Sequence, residues 1–394
     1  MWPGITYETC AWERDTDELA LIPKSRRRKI LPTYEAAVPA SIAALPVEIS
    51  ASLARRIAEV EVSLARFDQA QAMRNYALPA LLLRSESSSS SQIEQLTSSM
   101  RNVALAELSE RAPASALLIA GNVAAMREAL GQSGEVDIDS ICAIHDVLLR
   151  GTHEAMGLRD EQVWIGGSPY SPHGATFVPT HADRVQACLD DLIAFAARED
   201  VLPVVKAAIF HAQFETIHPF TDGNGRTGRT LLHRMLAADE VLLHTMLPVS
   251  TGLLHDVERY MDALNAYHDG AFEPMIECLT DALELAVVIG SRIASDVDDI
   301  LARWASANTD RVGSASHRLP ALLVEQPVVD VAYVASHLDI TDRAARNLID
   351  VACERDILVK MGNAKRGAFY QATDLIAVLE EASSLEGIRR IAAR

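Results

Sequence analysis

The residues best suited to chemistry lie in one short stretch of the chain, His218 to Arg229, which reads HPFTDGNGRTGR. It combines a histidine, an aspartate, two glycines separated by one residue, and two arginines. Glycine takes backbone conformations that other residues avoid, and a turn that feeds a helix points its free N–H groups at an anion. The stretch therefore predicts a phosphate-binding loop.

The segments on either side of this loop have helical patterns. Apolar residues recur at helical spacing over 205–217, and 230–236 contains no helix breaker. We therefore expect a loop that joins two helices. Its spacing matches neither the phosphate loop that ends in Lys-Ser/Thr nor the dinucleotide fingerprint that follows a strand.

Position by position, the stretch resembles the signature of the Fic family, His-x-Phe-x-Asp/Glu-Gly-Asn-Gly-Arg-x-x-Arg, with every specified residue present. The resemblance implies transfer of AMP from ATP to a protein hydroxyl. His218 is the expected general base, because imidazole titrates near neutrality. Asp222, the one carboxylate in the loop, is the expected Mg²⁺ ligand. The expected phosphate-binding residues are Gly223, Asn224, Gly225, Arg226 and Arg229.

A serine-rich segment, Glu86 to Gln95, precedes this region. Its composition is typical of a flexible linker. It also resembles the inhibitory helix of Fic proteins, Ser/Thr-x-x-x-Glu-Gly/Asn, which Ser90 and Glu94 match and from which Gln95 departs. The resemblance implies an inhibitory helix at about 85–96, in which Glu94 pairs with Arg229 and fills the space of the γ-phosphate.

Two short strand-like runs around a Gly/Pro-rich turn predict a β-hairpin within 157–179. In Fic proteins such a hairpin, the flap, holds an extended segment of the target by main-chain pairing. Arg159, Trp164 and Phe177 are equally compatible with target contact and with a structural role.

Several other residues have a predicted place. On a helix further along the chain, Tyr260 and Asn265 are candidates for an adenine pocket, although a core role fits Tyr260 equally well. His145 and His211 are expected to be packed side chains, and Phe220 to anchor the loop in the core.

The C-terminal pattern predicts helices at 319–324, 331–338 and 341–353, then strands at 357–360 and 368–371 joined by a basic turn. This is the order of a winged helix-turn-helix. Arg343, Arg346 and Asn347 would face DNA bases, with Lys365 and Arg366 on phosphate. Acidic residues flank these cations, so a protein-docking or dimerising role is favoured and DNA binding is left open.

The sequence predicts a mainly α protein with a Fic-type helical core, a flap and a winged helix. The expected domains are a helical region at 1–110, a catalytic core at 111–312 and the winged helix at 313–394. Four prolines predict irregular structure up to about residue 45. The net charge of -18 argues against nonspecific coating of nucleic acid or anionic membranes. Five scattered cysteines and an N-terminus without an apolar signal core favour a cytoplasmic location.

The leading hypothesis is thus a protein adenylyltransferase that uses ATP and Mg²⁺ to modify a Ser, Thr or Tyr hydroxyl of a target protein, with Glu94 as its inhibitor. The alternatives are a Doc-like phosphotransferase and a transcription regulator that senses nucleotide. The sequence leaves open the target, self-modification, a homodimer and removal of AMP.

Overall fold

A computed structural model describes residues 2–12, 23, 27–132, 134–152, 155–362 and 367–393. The chain forms two compact units, each built from separate stretches of sequence. Unit 1 comprises Met1–Ala51, Glu128–Asp239 and Glu258–Cys278, and unit 2 comprises Ser52–Arg127, Glu240–Val257 and Leu279–Arg394. These units cross the domain boundaries expected at 110 and 312, which stay predictions.

The described elements are mostly helices, as expected, and no described helix has both the length and the apolar character needed to cross a membrane. In chain order the elements are β1 (Thr6–Ala11), β2 (Thr33–Val38), α1 (Ala51–Ala72), α2 (Leu78–Ile93), α3 (Met100–Ala106), α4 (Ala114–Gly131), α5 (Ile138–Leu148), α6 (Val185–Ala196), α7 (Pro203–Ile217), α8 (Asn224–Ala238), α9 (Val249–His255), α10 (Val257–His268), α11 (Glu273–Ala307), α12 (Ala315–Glu325), β3 (Val328–Val329), α13 (Val331–Leu338), α14 (Asp342–Glu354), β4 (Val359–Lys360), β5 (Tyr370–Gln371), α15 (Thr373–Ser383) and α16 (Leu385–Ala392).

The central element of unit 1 is α7, which is buried along nearly its whole length. It starts with Pro203, whose fixed φ suits the first helical turn. It packs against α6 on one side and α8 on another, while α5 packs against α8. A helix that is apolar all round belongs in a core. The loop between α7 and α8 therefore stands on the most buried part of unit 1.

The N-terminal segment of unit 1 is a β-hairpin, so the expectation of irregular structure up to residue 45 was wrong for its two strands. β1 and β2 pair antiparallel from Thr6 opposite Val38 to Ala11 opposite Thr33. The four prolines lie outside both strands, so none removes a ladder hydrogen bond.

Unit 2 is organised around α2, which packs against α9, α12 and α15. Its neighbour in sequence, α1, buries an apolar stripe: Leu53, Ile57, Val60, Leu64 and Phe67. Most of the long helix α11 also belongs to unit 2.

The C-terminal part of unit 2 has the expected order of helices and strands. α12, α13 and α14 are followed by β4 and β5, and β3, which the sequence did not predict, lies between α12 and α13. The three strands form an antiparallel sheet in the order β3-β5-β4. Arg343, Arg346 and Asn347 are exposed on α14. Lys365 and Arg366 lie outside the described residues, and the winged-helix interpretation stays a prediction.

Candidate active site

His218 follows directly on the end of α7. It has φ 53° and ψ 63°, in the left-handed region that strains any residue with a side chain. Backbone strain of this kind clusters at functional sites. Its Nδ1 lies 3.4 Å from the carbonyl oxygen of Glu215. With Nδ1 as donor to that carbonyl, the basic nitrogen of the half-buried ring is Nε2.

Gly223 starts α8 and gives the loop its sharp final turn. Its φ of 74° favours glycine, and an added Cβ would lie 3.0 Å from Cδ2 of Leu148. The first N–H groups of a helix have no partner within that helix, and the helix dipole makes this end positive. The N-terminus of α8 is therefore a ready anion site, as the glycines at 223 and 225 predict.

The Asn224 side chain closes the loop on itself. Its Oδ1 accepts from the N–H of Phe220 at 2.9 Å, and its Nδ2 donates to the carbonyl of the same residue at 2.8 Å. The side chain is only 2% exposed. In this geometry the Asn224 amide is engaged with the backbone of Phe220, and its expected contact with phosphate stays a prediction.

Asp222 and Arg226 lie one helical turn apart at the mouth of α8. Nη2 of Arg226 donates to Oδ2 of Asp222 at 3.1 Å. The aspartate side chain is 53% exposed and the arginine side chain 6%. Asp222 is thus accessible to a cation, while Arg226 presents its charge from a mostly buried position.

Arg229 belongs to a buried polar group with His211 and Tyr260. The Tyr260 hydroxyl lies 2.7 Å from Nε2 of His211, and the two rings stack. Burial and the positive charge of Arg229 lower the pKa of His211 to about 3, so this histidine is neutral. Burial also raises the pKa of Tyr260, which is 1% exposed.

This arrangement places Tyr260 in the core of unit 1, which is the alternative that the sequence left open. Asn265 is exposed on α10. Tyr260 interacts with Arg229, and the adenine-pocket role of Tyr260 and Asn265 stays a prediction. His211 is packed, as expected.

The predicted flap is present, but as a hairpin of isolated bridges without regular strands. Ile165 pairs with Phe177, and Ser168 pairs with Ser171. The N–H of Ile165 donates to the carbonyl of Phe177 at 2.8 Å. Because Ile165 and Phe177 bond to each other, the backbone groups of the neighbouring residue Trp164 point to the opposite edge.

The N-terminal hairpin contacts the flap, and the sequence did not predict this contact. The N–H of Ala37 donates to the carbonyl of Val178 at 3.0 Å, and the Tyr34 hydroxyl donates to Gln162. The Trp12 ring meets the Trp164 ring edge-on at 5.5 Å. No local signal predicts this contact, because it depends on pairing between distant segments.

Two side chains from outside the loop contact its backbone, His145 on α5 and Arg159 near the start of the flap. The sequence indicated a packed histidine and left the arginine open. The ring of His145 stacks on that of Phe220, with the ring centroids 3.7 Å apart. Phe220 is fully buried and anchors the loop as expected. Their backbone contacts had no detectable pattern in the sequence.

The serine-rich segment of unit 2 is a helix and not a flexible linker. It forms the second half of α2, and all serines from Ser85 to Ser91 are at most 1% exposed. Glu94 follows the last helical residue and is exposed, while Ser90 is buried. The inhibitory segment expected at 85–96 thus coincides with the end of a real helix.

The turn after α2 shows why the departure at Gln95 matters. The N–H of Leu96 donates to the carbonyl of Ser91 at 3.0 Å, and that of Gln95 to Gln92 at 2.9 Å. This is a Schellman motif, and it places Gln95 at a left-handed φ of 64°. Glycine or asparagine suits that position better than glutamine.

Residues 135–236 match the Fic/DOC family. A protein named probable protein adenylyltransferase, from Aquifex aeolicus, is 33% identical over 133 residues, which cover 32% of this chain and 36% of the relative. The protein adenylyltransferase fic-1 of Caenorhabditis elegans is 29% identical over 194 residues, which cover 48% of this chain and 35% of the relative. The matches thus span about a third of each relative's length.

One crystal structure shares the fold over most of the chain. A Fic family protein from Desulfovibrio desulfuricans superposes with a TM-score of 0.54 at 23% identity, covering 83% of this chain and 97% of that one. At this identity the likeness concerns the fold alone.

Proposed function

Because residues 135–236 belong to the Fic/DOC family, we propose that this chain is a protein adenylyltransferase that transfers AMP from ATP to a hydroxyl of a target protein. One observation carries the proposal. A strained histidine, an accessible carboxylate and a helix N-terminus meet in the single loop between α7 and α8. Relatives that are named protein adenylyltransferases support the same activity.

In this reaction the target oxygen attacks the α-phosphorus of ATP, a new P–O bond forms, and pyrophosphate leaves. Nε2 of His218 takes the hydroxyl proton as the oxygen attacks. The N-terminus of α8 holds the phosphates by its backbone N–H groups. Arg226 and Arg229, three residues apart on one face of α8, supply positive charge for the β- and γ-phosphates.

Asp222 is a suitable ligand for Mg²⁺ in this loop. This ion prefers one or two carboxylates together with phosphate oxygens and water, and the half-exposed carboxylate of Asp222 lies at the mouth of α8. When bound, Mg²⁺ neutralises charge on the phosphates. With Mg²⁺ on Asp222, the guanidinium of Arg226, which pairs with Asp222 in this structure, would be available to phosphate.

We further propose that Glu94 inhibits the enzyme by occupying the γ-phosphate space and pairing with Arg229. The support lies in the pattern that Ser90 and Glu94 share with inhibitory helices and in the helix that ends at Glu94. An exposed carboxylate just after a helix has the charge needed to compete with phosphate.

The target is proposed to dock on the flap at 157–179. Main-chain pairing at the open edge beside Trp164 would hold an extended segment whatever its sequence. The C-terminal module is proposed to contact protein more than DNA, since Asp342 and Asp350 are exposed beside Arg343 and Arg346 on α14. Specific, salt-sensitive gel shifts that disappear in Arg343→Ala would show the opposite.

The decisive experiment uses ATP labelled at the α or γ position. A Glu94→Gly chain is incubated with each label and a candidate target or lysate, and the Glu94→Gly, His218→Ala double variant is the matched control. Protein that carries α-label but no γ-label, and only with His218 present, is the expected result. Label from γ alone would indicate phosphoryl transfer, and nucleotide binding without either label would indicate sensing; both would overturn the proposal.

A further inference from the structure

Three consecutive backbone carbonyls at the start of the catalytic loop accept from Arg159, two from its side chain and one from its backbone N–H. Nε of Arg159 donates to the carbonyl of His218 at 2.8 Å, and Nη2 donates to that of Ile217 at 3.3 Å. The backbone N–H of Arg159 donates to the carbonyl of Pro219 at 3.0 Å. Arg159 thus fixes three consecutive peptide units around the catalytic histidine.

His145 fixes the second half of the loop in the same way, by a side-chain hydrogen bond to a backbone carbonyl. Its Nε2 lies 3.0 Å from the carbonyl oxygen of Asp222, so this nitrogen carries the proton and donates. Its ring lies parallel to that of Phe220, with an interplanar angle of 4°. Between these two contacts, the carbonyl of Phe220 accepts from Asn224.

Arg159 is also a buried cation beneath the loop. It is 5% exposed, and burial lowers its pKa to about 10, so it stays protonated at neutral pH. Its remaining donors go to the carbonyls of Glu161 and Thr180. Carbonyl partners leave its positive charge intact, whereas a contacting carboxylate would neutralise it.

The orientation of a peptide unit decides what it offers a phosphate. A carbonyl oxygen that faces phosphate repels it, whereas an N–H binds it. Each carbonyl that accepts from Arg159 or His145 is oriented toward that donor, and its oxygen is already paired. Without these hydrogen bonds, the loop would have to orient its peptide units at the moment when phosphate binds.

We infer that Arg159 and His145 are positioning residues for the polyphosphate: they hold the loop carbonyls inward, so that the N-terminus of α8 meets the anion without competing oxygens. The identity of the anion as a nucleoside polyphosphate rests on the proposed function. Neither side chain is required to touch the nucleotide. Their effect is on its affinity and on the placement of His218.

The test compares substitutions that remove the donors with substitutions that keep them. Arg159→Met and His145→Leu remove the side-chain donors at similar volume. Arg159→Lys keeps the charge without the planar fork, and His145→Gln keeps a donor near the position of Nε2. Arg184→Met is the matched control, because Arg184 is half-exposed and pairs with Glu8 in the same unit.

Two measurements are made on each full-length variant: binding of ADP by calorimetry, and thermal unfolding. ADP lacks the γ-phosphate, so Glu94 does not compete with it. We expect Arg159→Met to weaken ADP binding by about 10- to 100-fold, on the order of the loss from an ångström of misplacement. Arg159→Lys should recover part of the lost ADP affinity. His145→Gln should bind ADP within about threefold of the parent, whereas His145→Leu should bind it about tenfold more weakly.

Arg184→Met should bind ADP like the parent. Folded Arg159→Met and His145→Leu with parental ADP affinity would overturn the inference. If those two variants do not fold, the conservative variants Arg159→Lys and His145→Gln are used instead. ADP affinity equal to that of the parent in Arg159→Lys would equally overturn the inference. A parent that binds ADP but transfers no AMP would refute the proposed function and leave the effect of these variants on binding as a separate result.

Discussion

The buried histidine on α7 makes the stability of unit 1 depend on pH. His211 is fully buried, and its folded pKa of about 3 lies far below the usual value. Between these two values the unfolded chain binds a proton that the folded chain excludes, so stability falls as the pH falls. The charged and titratable groups around the ring are Arg229, Tyr260 and Glu215, whose Oε1 lies 3.9 Å from Nε2.

The size of this effect follows from the linkage. From about pH 6.5 to pH 5 the unfolded state holds nearly one extra proton, and about 1.4 kcal/mol per pH unit gives about 2 kcal/mol. Any folded pKa well below 5 gives the same figure. The free energy of unfolding of α7 should therefore drop by about 2 kcal/mol more in the parent than in a His211→Gln variant.

The assay is hydrogen exchange of the α7 amides, followed by mass spectrometry at pH 7 and pH 5 in both proteins. Glutamine keeps a polar group near the Tyr260 hydroxyl but does not titrate, so the difference between the proteins isolates one histidine. Protection that changes equally with pH in parent and variant would refute the reasoning, because it would mean that His211 binds its proton in the folded state.

Four further outcomes are expected. His218→Ala should lower AMP transfer by about 10²- to 10⁴-fold and leave ADP binding intact, as calorimetry would check; turnover near the parent rate would exclude it as the base. Asp222→Ala should abolish the Mg²⁺ dependence of ATP binding, which chelation in the parent should mimic; ATP binding that ignores Mg²⁺ in the parent would contradict this assignment. Glu94→Gly should raise AMP transfer, and adding Arg229→Ala should lower it again; equal rates for parent and Glu94→Gly would remove the inhibitory role. Gln95→Gly should strengthen hydrogen-exchange protection of the last turn of α2 by about fivefold, since it relieves about 1 kcal/mol of left-handed strain; unchanged protection would show that Gln95 is unstrained.

The catalytic loop and its two helices were predictable because their signals are local. Glycine at 223, the helical patterns on both sides and the aromatic at Phe220 each act within a few residues. The sequence assigned Asn224 to phosphate, whereas in the structure its side chain bonds to the backbone of Phe220. A donor amide suits a phosphate and a peptide carbonyl equally, and only the folded geometry decides between them.

Other features depended on contacts between distant segments. β1 and β2 are separated by more than twenty residues, so neither contains the turn signal of a short hairpin. The serine run looked like a linker because composition does not report burial, whereas several of its hydroxyls are hydrogen-bonded, such as those of Ser89 to Thr251 and of Ser91 to the carbonyl of Ser87. Tyr260 was ambiguous because an aromatic on a helix fits a core and a pocket equally.

The make-up of α2 also determines how firmly its two halves are held. The first turns bury Leu78, Leu81, Leu82 and Leu83, whose removal from unit 2 would expose apolar surface at about 25 cal/mol per Å². The later turns bury mainly serine hydroxyls, which water solvates nearly as well as protein partners do, so each such contact adds only about 1 kcal/mol. The apolar contacts of the first turns therefore hold α2 more strongly than the hydroxyl contacts of its last turns. An event in unit 2 that loosens a few hydroxyl contacts can displace Glu94 while the leucine-lined turns stay in place.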